Sequence, residues 1–577
     1  MDKLNIFGEK TVISTRFRSV FVASMMSMVS SYILILTDNV VAGQVVGDNA
    51  VAAMTLIFPI YTLLLFISYV IADGLAMLAS YAQGREDRDE VNRIFSLGTI
   101  LSVVSGVLIF AILFMFKEEI LSLWEVSEHL MNYASDYYSG LILVTPIIFL
   151  NLFQYTFFFT EGKENACLIA VVVSFVVNIA LDIILCKTIG VKGIGLATTL
   201  GTLISALVQL YYLTGGRSQL KFIPYFNLKK TLQGIFYNFY HSVDTLCISI
   251  LPMILSAATI KCFGEEKLII VTVAVNLLTL IIAIYTGMVD CLQPMICQYH
   301  AENNLHSVKK TILLGLKVTI ALSLLMTLAG IIFADFLPAM FGVKDEILAQ
   351  EAAEAMRFFL PFTTFLGLTL MLANYYIYIE DMNFGALIKI ILLLVLPYIA
   401  MSIGGQFSLN IFWLSVGGSF AVTFLLNLIL TKFYGRRNNI LLIDERKLNC
   451  QLSYDVNTTF DEVMNLTHRA NEDLKNFGVT KSLRNKIVLF IEEIGLHAVE
   501  RVSEEPFQLE FSILFEEDNF EHAAMIVRDN GKPYDIVKTA NNEKFSFREF
   551  FIENITATVA NRNFIASGDE NRMTLRI

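Results

Sequence analysis

The sequence is poor in charged residues and cysteine and lacks a phosphate-binding P-loop motif, and each shortage excludes a class of protein. Only 16% of the 577 residues are charged, whereas 55% are hydrophobic, and soluble globular enzymes do not have this balance. The seven cysteines are scattered, mostly inside apolar stretches, without the spacing of a disulfide framework or a zinc site. Because no G-x-x-x-x-G-K-[ST] motif occurs, we do not expect an ATP-driven pump of the ABC type.

The acidic charge is concentrated at the end of the chain. From Ile440 onward there are sixteen Lys or Arg against twenty-four Asp or Glu, so this segment carries −8 of the net charge of −11. An acidic segment of this kind argues against nucleic acid as a partner. The preceding part is nearly neutral, which separates the chain into two units of different chemistry.

Twelve apolar runs fill the first unit, and each is long enough to cross ~30 Å of hydrocarbon as a helix. We therefore predict a polytopic α-helical membrane protein with twelve transmembrane helices and a C-terminal cytosolic α/β sandwich domain. The predicted spans are 14–36, 50–76, 94–116, 131–158, 165–186, 193–214, 236–260, 268–297, 310–334, 350–378, 384–402 and 408–432.

Basic residues predict the orientation of the chain in the bilayer. Eighteen Lys or Arg, with Lys389 among them, are assigned to the two ends and the even-numbered connections, and six to the odd-numbered connections. The positive-inside rule then places both termini in the cytoplasm. We expect a multi-pass protein of the bacterial inner membrane, with the lipid bilayer as its first partner.

A weak internal repeat relates the two halves of the apolar unit. Residues 73–98 align without gaps on 290–315 at a constant offset of 217, and Asp73 and Asp290 are among the identities. Two halves of six spans each have the same membrane orientation, which is typical of carriers with parallel repeats. The predicted divisions are a six-helix lobe at 1–222, a second lobe at 223–435, a linker at 436–447 and the C-terminal domain at 448–577.

Polar side chains inside the apolar runs are the candidate site residues. Asn178 and Asp182 lie four apart on the fifth run and share one helix face, and Asp38 ends the first run. An ionised carboxylate in hydrocarbon costs ~2.5–3.5 kcal/mol or more, so such residues mark ion or proton pathways by default. Two carboxylates and an amide oxygen would hold a small cation such as Na⁺, or would repel until one carboxylate binds a proton. Asn151 on the fourth run is an additional ligand candidate.

Purely structural roles are the alternatives for these residues. Asp38 precedes the stretch DNVVAG and would then cap an element, and Asp182 would pair with Lys187. In the second half, Asp244, Asp290 and Asn374 form a second candidate polar site. For these three residues, a structural role in bracing the helices and a functional role are equally supported by the sequence.

Three stretches carry a family resemblance: 37–53, the loop at 80–87, and above all 161–213. They resemble the multidrug and toxic compound extrusion (MATE) transporters. In the last stretch, the polar pair Asn178 and Asp182 and the Gly-rich turn at 190–195 follow in the same order as in that family. The resemblance implies alternating access and efflux of small organic compounds, cationic ones included, driven by H⁺ or Na⁺ with no other cofactor required. It assigns the coupling role to Asp38, Asn178 and Asp182.

The C-terminal unit has the apolar alternation of strands and the periodicity of helices. This order resembles the ATP-binding (GHKL-type) fold of anti-sigma-factor kinases, histidine kinases and gyrase. The predicted elements are strands at 449–456, 507–516, 522–529 and 571–577 and helices at 461–477, 482–502 and 546–562.

Four residues of this unit are nucleotide-binding candidates by resemblance. Glu493 takes the place of the acidic residue in the E-x-x-x-N element, and Asp529 with Gly531 resembles the adenine-binding D-x-G element. His497 stands where the family has a Mg²⁺-binding Asn, and imidazole is a poor Mg²⁺ ligand. The Gly-rich lid that would cover the phosphates is also missing, and Asp-Asn-Gly is a common turn signal. We therefore expect a degenerate regulatory domain without ATPase or kinase activity.

Two other functions compete with cation-coupled efflux. One is a membrane sensor or signalling protein with a kinase-like domain, and the other is a carrier fold that senses a ligand without transporting it. We also expect the C-terminal domain to dock a cytosolic regulatory protein, or to dock by its net charge of −8 on the basic inner loops at 85–93 and 217–230.

Overall fold

The structure is a computed structural model of the whole chain. It describes residues 10–122, 128–215, 220–225, 227–340, 345–434, 439–502, 505–516, 519–532, 561–567 and 570–577.

Helices make up the first part of the chain. The helices of its first half are α1 (Val12–Val45), α2 (Asp48–Gly84), α3 (Arg88–Met115), α4 (Lys117–Leu121), α5 (Glu128–Leu141), α6 (Thr145–Glu161), α7 (Glu164–Ile189) and α8 (Val191–Thr214). Those of its second half are α9 (Leu228–His241), α10 (Val243–Phe263), α11 (Leu268–Ala301), α12 (Leu305–Ile332), α13 (Leu337–Met340), α14 (Glu346–Phe359), α15 (Thr363–Tyr378), α16 (Met382–Ile390), α17 (Leu396–Gly404) and α18 (Leu409–Tyr434).

Within the described residues, twelve helical segments are long and apolar enough to cross a membrane, as predicted. Three of them consist of two helices each: α5 with α6, α14 with α15, and α16 with α17. Short 3-10 turns at 142–144 and 360–362 and a π turn at 391–395 join these pairs. Prolines lie in or just after these turns, where a missing backbone N–H is easily tolerated.

Three predicted span boundaries are wrong by seven residues or more, and one of them is the end of the second span, which continues to Gly84 and not to 76. The first span does not end before the stretch that contains Asp38, because α1 continues to Val45, so Asp38 lies inside a helix and not before a turn. The seventh span begins at Val243 and not at 236, because the chain breaks at Ser242 and the preceding helix α9 packs against α2.

The internal repeat appears in the geometry of two helix–helix turns. Glu86, between α2 and α3, and Asn303, between α11 and α12, both have positive φ, at 65° and 58°. The next residue in each turn caps the following helix: the Asp87 side chain accepts from the Glu90 N–H and the Asn304 side chain from the Ser307 N–H. These matches follow the offset of 217, so the two turns are equivalent parts of the two halves.

Among the described residues, the first half of the bundle has two core clusters of its own, the second half has one, and a further cluster joins the halves. The clusters of the first half contain residues from 41 to 194, and the cluster of the second half contains residues from 243 to 420. The shared core contains Phe17 and Tyr81 from the first half and Tyr299 and Tyr378 from the second. It lies at the end of the bundle where α2 and α11 terminate, which we call the domain end.

The C-terminal domain is a five-stranded antiparallel sheet with helices on one face. Its strand order is β1-β2-β3-β5-β4, and α20 and α21 pack on the sheet. Its elements are α19 (Glu445–Asn449), β1 (Gln451–Asn457), α20 (Phe460–Asn476), α21 (Lys481–Glu500), β2 (Gln508–Glu516), β3 (Asn519–Asp529), β4 (Asn561–Ser567) and β5 (Glu570–Arg576).

Most predicted elements of this domain are confirmed to within a few residues. The four predicted strands correspond to β1, β2, β3 and β5, and the helices at 461–477 and 482–502 to α20 and α21. The helix predicted at 546–562 lies outside the described residues, except that Asn561 and Arg562 begin the unpredicted strand β4.

The two faces of the sheet have opposite chemistry. Because side chains alternate along a strand, one face is apolar and meets α20 and α21, and it includes Leu509, Phe511, Ile513, Met525, Val527, Met573 and Leu575. The other face carries a row of paired residues across four strands: Asp455, Glu510, Arg528 and Arg572. Glu510 and Arg528 are 0% exposed, because the domain end of the helix bundle covers this charged row.

Candidate functional site

The first candidate site lies between α1 and α7. Asp182, on α7, is 0% exposed, and its carboxyl group lies within hydrogen-bonding reach of the Asp38 carboxyl on α1. Two carboxylates without a proton have no hydrogen to share. The pair therefore needs one positive charge, either a proton on one oxygen or a cation between them.

Asn178 orients Asp182 through its amide nitrogen. In the orientation that its surroundings require, the Asn178 side-chain NH₂ donates to Asp182 Oδ2 at 3.0 Å, and its oxygen accepts from the Thr198 N–H at 3.2 Å. The predicted spacing thus places both residues on one face of α7. The amide oxygen expected to bind a cation thus already uses one of its two lone pairs for the Thr198 N–H of α8.

Several buried oxygens at this site lack a hydrogen-bond partner within the described part of the chain. These atoms are Asp38 Oδ1, Asp182 Oδ1 and Asn151 Oδ1. Asn151 lies on α6 in the same half, but the described contacts include no hydrogen bond from it to Asp38 or Asp182. The two carboxyl groups can therefore share a proton, whereas binding of Na⁺ would require further oxygen ligands.

A small cavity lies between the two halves of the bundle. Asp73 on α2 and Asp290 on α11, the residues identical in the repeat, both line it. The Gln293 side chain donates to the Asp73 carbonyl oxygen at 3.2 Å across the boundary between the halves. The other lining residues are Met28, Tyr69, Ala76, Ser80, Tyr155, Thr156, Phe159, Thr160, Gln293 and Pro294.

The three polar residues predicted as one site in the second half have different surroundings. Asp290 lines the cavity, and Asn374 donates to the Leu370 carbonyl oxygen of its own helix at 2.9 Å. Asp244, at the start of α10, instead forms an ion pair with Lys389 at 3.4 Å. Among the described contacts, no hydrogen bond joins these three residues to one another.

Lys389 is the functional candidate that the sequence analysis missed, because it was assigned to a connection. The structure corrects this, since Lys389 lies inside the eleventh span with its side chain 0% exposed. Its ammonium group also donates to the His241 carbonyl oxygen, and the His241 ring hydrogen-bonds the Tyr378 hydroxyl at 3.0 Å. A buried cation within an apolar run is the signal that would have found it.

Comparison with known proteins identifies the family of the helix bundle. The MatE family model matches residues 23–184 and 242–401, which together are more than half of the chain. The chain belongs to the MatE family. Members of this family are secondary transporters and not enzymes.

Two curated relatives match part of this MatE chain. The probable multidrug resistance protein YoeA of Bacillus subtilis is 27% identical over 193 residues, which are 32% of this chain and 42% of that protein. The multidrug export protein MepA of Staphylococcus haemolyticus is 27% identical over 178 residues, or 30% and 39%. The chain thus spans about two fifths of the length of these relatives.

Solved structures show the same fold for the bundle. A MATE structure in complex with MaL6 and a MOP superfamily transporter from Pyrococcus furiosus each give a TM-score of 0.67 at 18% identity, covering 75% of this chain and 98% of that chain. An outward-facing MATE family transporter gives 0.68 at the same identity and coverage. The helix bundle of this MatE protein therefore has the same fold as these solved structures.

The nucleotide-binding candidates of the MatE protein lie in two parts of the C-terminal domain. Glu493 and the buried His497 are one turn apart on α21, and both have interaction partners. Asp529 ends β3, and its Oδ1 accepts from the Gly531 N–H at 2.9 Å and from the Asn571 side chain at 2.8 Å.

Asp529 is held by the domain itself. The Arg501 guanidinium lies 3.5 Å from the same Oδ1 and stacks over the Phe507 ring. Burial raises the pKa of Asp529, and the attraction of Arg501 and the hydrogen bond from Asn571 oppose that rise. These donors all approach Oδ1, so an adenine amino group would have to bind the other oxygen, Oδ2.

Proposed function

We propose that this MatE protein exports small organic compounds across a bacterial cell membrane in exchange for H⁺ or Na⁺. The carboxyl pair of Asp38 and Asp182 is the observation that carries this proposal. It takes one positive charge, and losing that charge leaves two facing carboxylates in an apolar environment, which is costly. Binding and release of the ion would therefore favour different packings of α1 against α7, and that difference can drive alternating access.

The composition of the site favours H⁺ over Na⁺. Na⁺ needs several oxygen ligands, whereas the Asn178 oxygen is used by Thr198 and the described contacts do not bring Asn151 to the pair. A proton needs only the two carboxyl groups. Na⁺ coupling is the alternative that the experiment below distinguishes.

The residues that line the cavity between the halves suit an organic cation, although the cavity itself, at about 20 Å³, has room for only about one water molecule in this conformation. Asp73 and Asp290 supply carboxyl groups whose ionised form a bound cation would stabilise, and Tyr69, Tyr155 and Phe159 supply aromatic faces, which together suit a flat cation through charge attraction and cation–π contacts. The printed names of the two curated relatives, a multidrug resistance protein and a multidrug export protein, support this class of substrate. The two lobes at 1–222 and 223–435 would rock around this cavity.

For the C-terminal domain we propose a regulatory role on the cytoplasmic side. The five-stranded sheet with α20 and α21 on one face supports the expected α/β sandwich of an ATPase-like domain. His497 in place of the metal-binding Asn favours protein contacts over nucleotide binding. The basic residues at this end of the bundle support a cytoplasmic location.

The test is efflux of a fluorescent cationic dye from proteoliposomes under an imposed H⁺ or Na⁺ gradient. Asp182→Asn should abolish gradient-driven efflux, whereas Asp136→Asn, an exposed carboxyl of the same half, should leave it intact. An H⁺ or Na⁺ requirement in the wild type would identify the ion. Efflux by Asp182→Asn at the wild-type rate would refute the assigned coupling role.

A further inference from the structure

The charged face of the C-terminal sheet contacts the turns of both halves of the bundle. On the second half, the Lys310 ammonium binds Asp455 at 2.8 Å, and the Ser307 hydroxyl donates to Glu510 at 2.9 Å. Gln451 of β1 donates to the Asn303 carbonyl oxygen at 2.7 Å. These contacts fix the domain to the turn between α11 and α12.

Arg528 and Glu302 strengthen this attachment from inside the interface. They form an ion pair in which both side chains are 0% exposed, and Arg528 also lies 3.4 Å from Glu510. The Arg528 guanidinium stacks over the Tyr299 ring, with 4.7 Å to its centroid. Charge-assisted hydrogen bonds in such dry surroundings are strong and geometrically specific.

Arg572 contacts both halves at once. It donates to the carbonyl oxygens of Gln83 and Gly84, each at 3.1 Å, and binds Glu86 at 2.9 Å, all in the turn of the first half. The same guanidinium binds Glu302 of the second half at 2.8 Å. One side chain therefore connects the two turns that the internal repeat makes equivalent.

The two halves also touch directly at this end of the bundle. A Cβ added to Gly84 would lie 2.4 Å from the Gln298 carbonyl oxygen, so α2 and α11 meet backbone to backbone. The Arg16 guanidinium donates to the Gln298 side chain at 3.0 Å. Opening a path from the domain end to the central cavity would separate these contacts, and Arg572 could not then keep its partners on both sides.

We propose that the C-terminal domain is a latch that holds the domain end of the bundle closed. It is anchored on the turn of the second half and clasps the turn of the first half through Arg572. Its release from Gln83, Gly84 and Glu86 would be a required step each time the bundle opens at this end. This proposal rests on the alternating access proposed above, and it adds the device that sets how often the domain end opens.

Reactivity of Cys297 reports opening at this end without any transport measurement. Cys297 is 0% exposed in the shared core on α11, and Tyr81 of the opposite half contacts it. The full-length protein in inside-out vesicles would be treated with a membrane-impermeant maleimide. Mass spectrometry would then follow the rate of modification at Cys297 itself.

Arg572→Gln should raise the modification rate of Cys297 about tenfold, the effect of losing one charge-assisted interaction across the latch. Glu86→Gln, which alters the first-half turn and leaves the domain sequence intact, should raise it in the same direction. Arg576→Gln is the matched control, because Arg576 lies on the same strand but is exposed. It should react at the wild-type rate.

Wild-type reactivity of Cys297 in both Arg572→Gln and Glu86→Gln would overturn the latch, since the direct contacts between the halves would then suffice to close this end. Size-exclusion profiles identify a variant that fails to fold. If Arg572→Gln fails to fold, the Cys297 reactivity of Glu86→Gln alone tests the latch. The labelling needs neither dye nor gradient. A faster reaction in a protein that shows no efflux would support the latch and count only against the proposed transport.

Discussion

Arg528 and Glu302 form an ion pair with no exposure to solvent, although one residue belongs to the C-terminal sheet and the other to the helix bundle. Burial of two charges is costly unless each finds partners. Glu302 is also bound by Arg572 and Gln298, and Arg528 by Glu510. This face of the sheet therefore suits the docked state and not an isolated soluble domain.

We expect Glu302→Gln to destabilise the docked protein strongly. The substitution leaves Arg528 and Arg572 buried with one carboxylate fewer, and removing one partner from a buried ion pair costs about 3–5 kcal/mol. Thermal unfolding of the full-length protein in detergent, followed by a probe in the C-terminal domain, would measure the loss. Lys310→Gln is the matched control: Lys310 and Asp455 are partly exposed, and such a pair contributes about 0–1 kcal/mol. Equal losses in the two variants would contradict this ranking.

The sequence predicted only part of the docking surface and reversed the chemistry of the contact. The predicted loop at 85–93 takes part through Glu86, whereas the turn around Glu302, which was not predicted, holds most of the described contacts. Net charge suggested an acidic domain against basic loops, yet Arg528 and Arg572 of the domain bind Glu302 and Glu86 of the turns. Lys310 with Asp455 is a pair of the expected polarity. A net charge of −8 does not show which charged residues lie on the docking face. That is decided by the alternation of side chains along each strand and by the register of the strands.

A pH dependence is expected from Glu510. Burial raises the pKa of this carboxyl, and the attraction of Arg528 and Lys310 only partly opposes the rise. A carboxyl with a raised pKa in the folded state contributes most to the free energy of unfolding below its ordinary value of 4.5, and this contribution is lost as pH rises through the raised value.

Glu510→Gln removes that titration. We expect the melting temperature of Glu510→Gln, relative to wild type, to increase as the pH is raised from about 4 to about 7. Parallel melting curves across this range would contradict the assignment.

Sequence reasoning found the carboxyl pair of the bundle but not the charged pair of the second half. Asp38 and Asp182 stand out because a charge inside an apolar run is rare and costly. Lys389 was overlooked because a lysine near the end of a run was counted with the connections. The predicted span at 384–402 already contains residue 389, so the apolar run, and not the count of basic residues, was the correct guide to its position.

Lys389 and Asp244 should show strong energetic coupling. Lys389→Met leaves the Asp244 carboxylate without its cation and should lower the melting temperature in detergent. Adding Asp244→Asn should recover much of that loss, because the double variant has no unpaired charge. A coupling energy between 0.5 and about 3 kcal/mol in a double-mutant cycle is expected for side chains in contact. Strictly additive losses would show that the ion pair carries no stability.

Close helix packing at one glycine gives a steric prediction. A Cβ at Gly74 of α2 would lie 2.0 Å from the Gly234 carbonyl oxygen of α9. We expect Gly74→Ala to cost about 1–3 kcal/mol through overpacking. Gly418→Ala is the matched control, because a Cβ there meets nothing within 4 Å, and alanine is the better helix former by up to about 1 kcal/mol. In thermal unfolding, Gly74→Ala should lower the melting temperature and Gly418→Ala should leave it unchanged or raise it.

The orientation of Asn178 gives the sharpest test of the carboxyl pair. Its side-chain NH₂ donates to Asp182 and its oxygen accepts from Thr198, so Asn178 positions the carboxyl and does not itself exchange the ion. We expect Asn178→Ala to slow dye efflux about tenfold, as for loss of one well-formed hydrogen bond to a charged group, and to shift the pH at which efflux is half-maximal. A merely structural role would lower the rate without moving that pH.

Asn151→Ala provides the comparison for this test, since the described contacts do not join Asn151 to the pair. It should leave the pH profile in place if H⁺ is the coupling ion. A change in the Na⁺ concentration needed for efflux in Asn151→Ala, with an unchanged pH profile in Asn178→Ala, would instead indicate that both amides bind Na⁺. That result would replace the proton by a metal cation between Asp38 and Asp182.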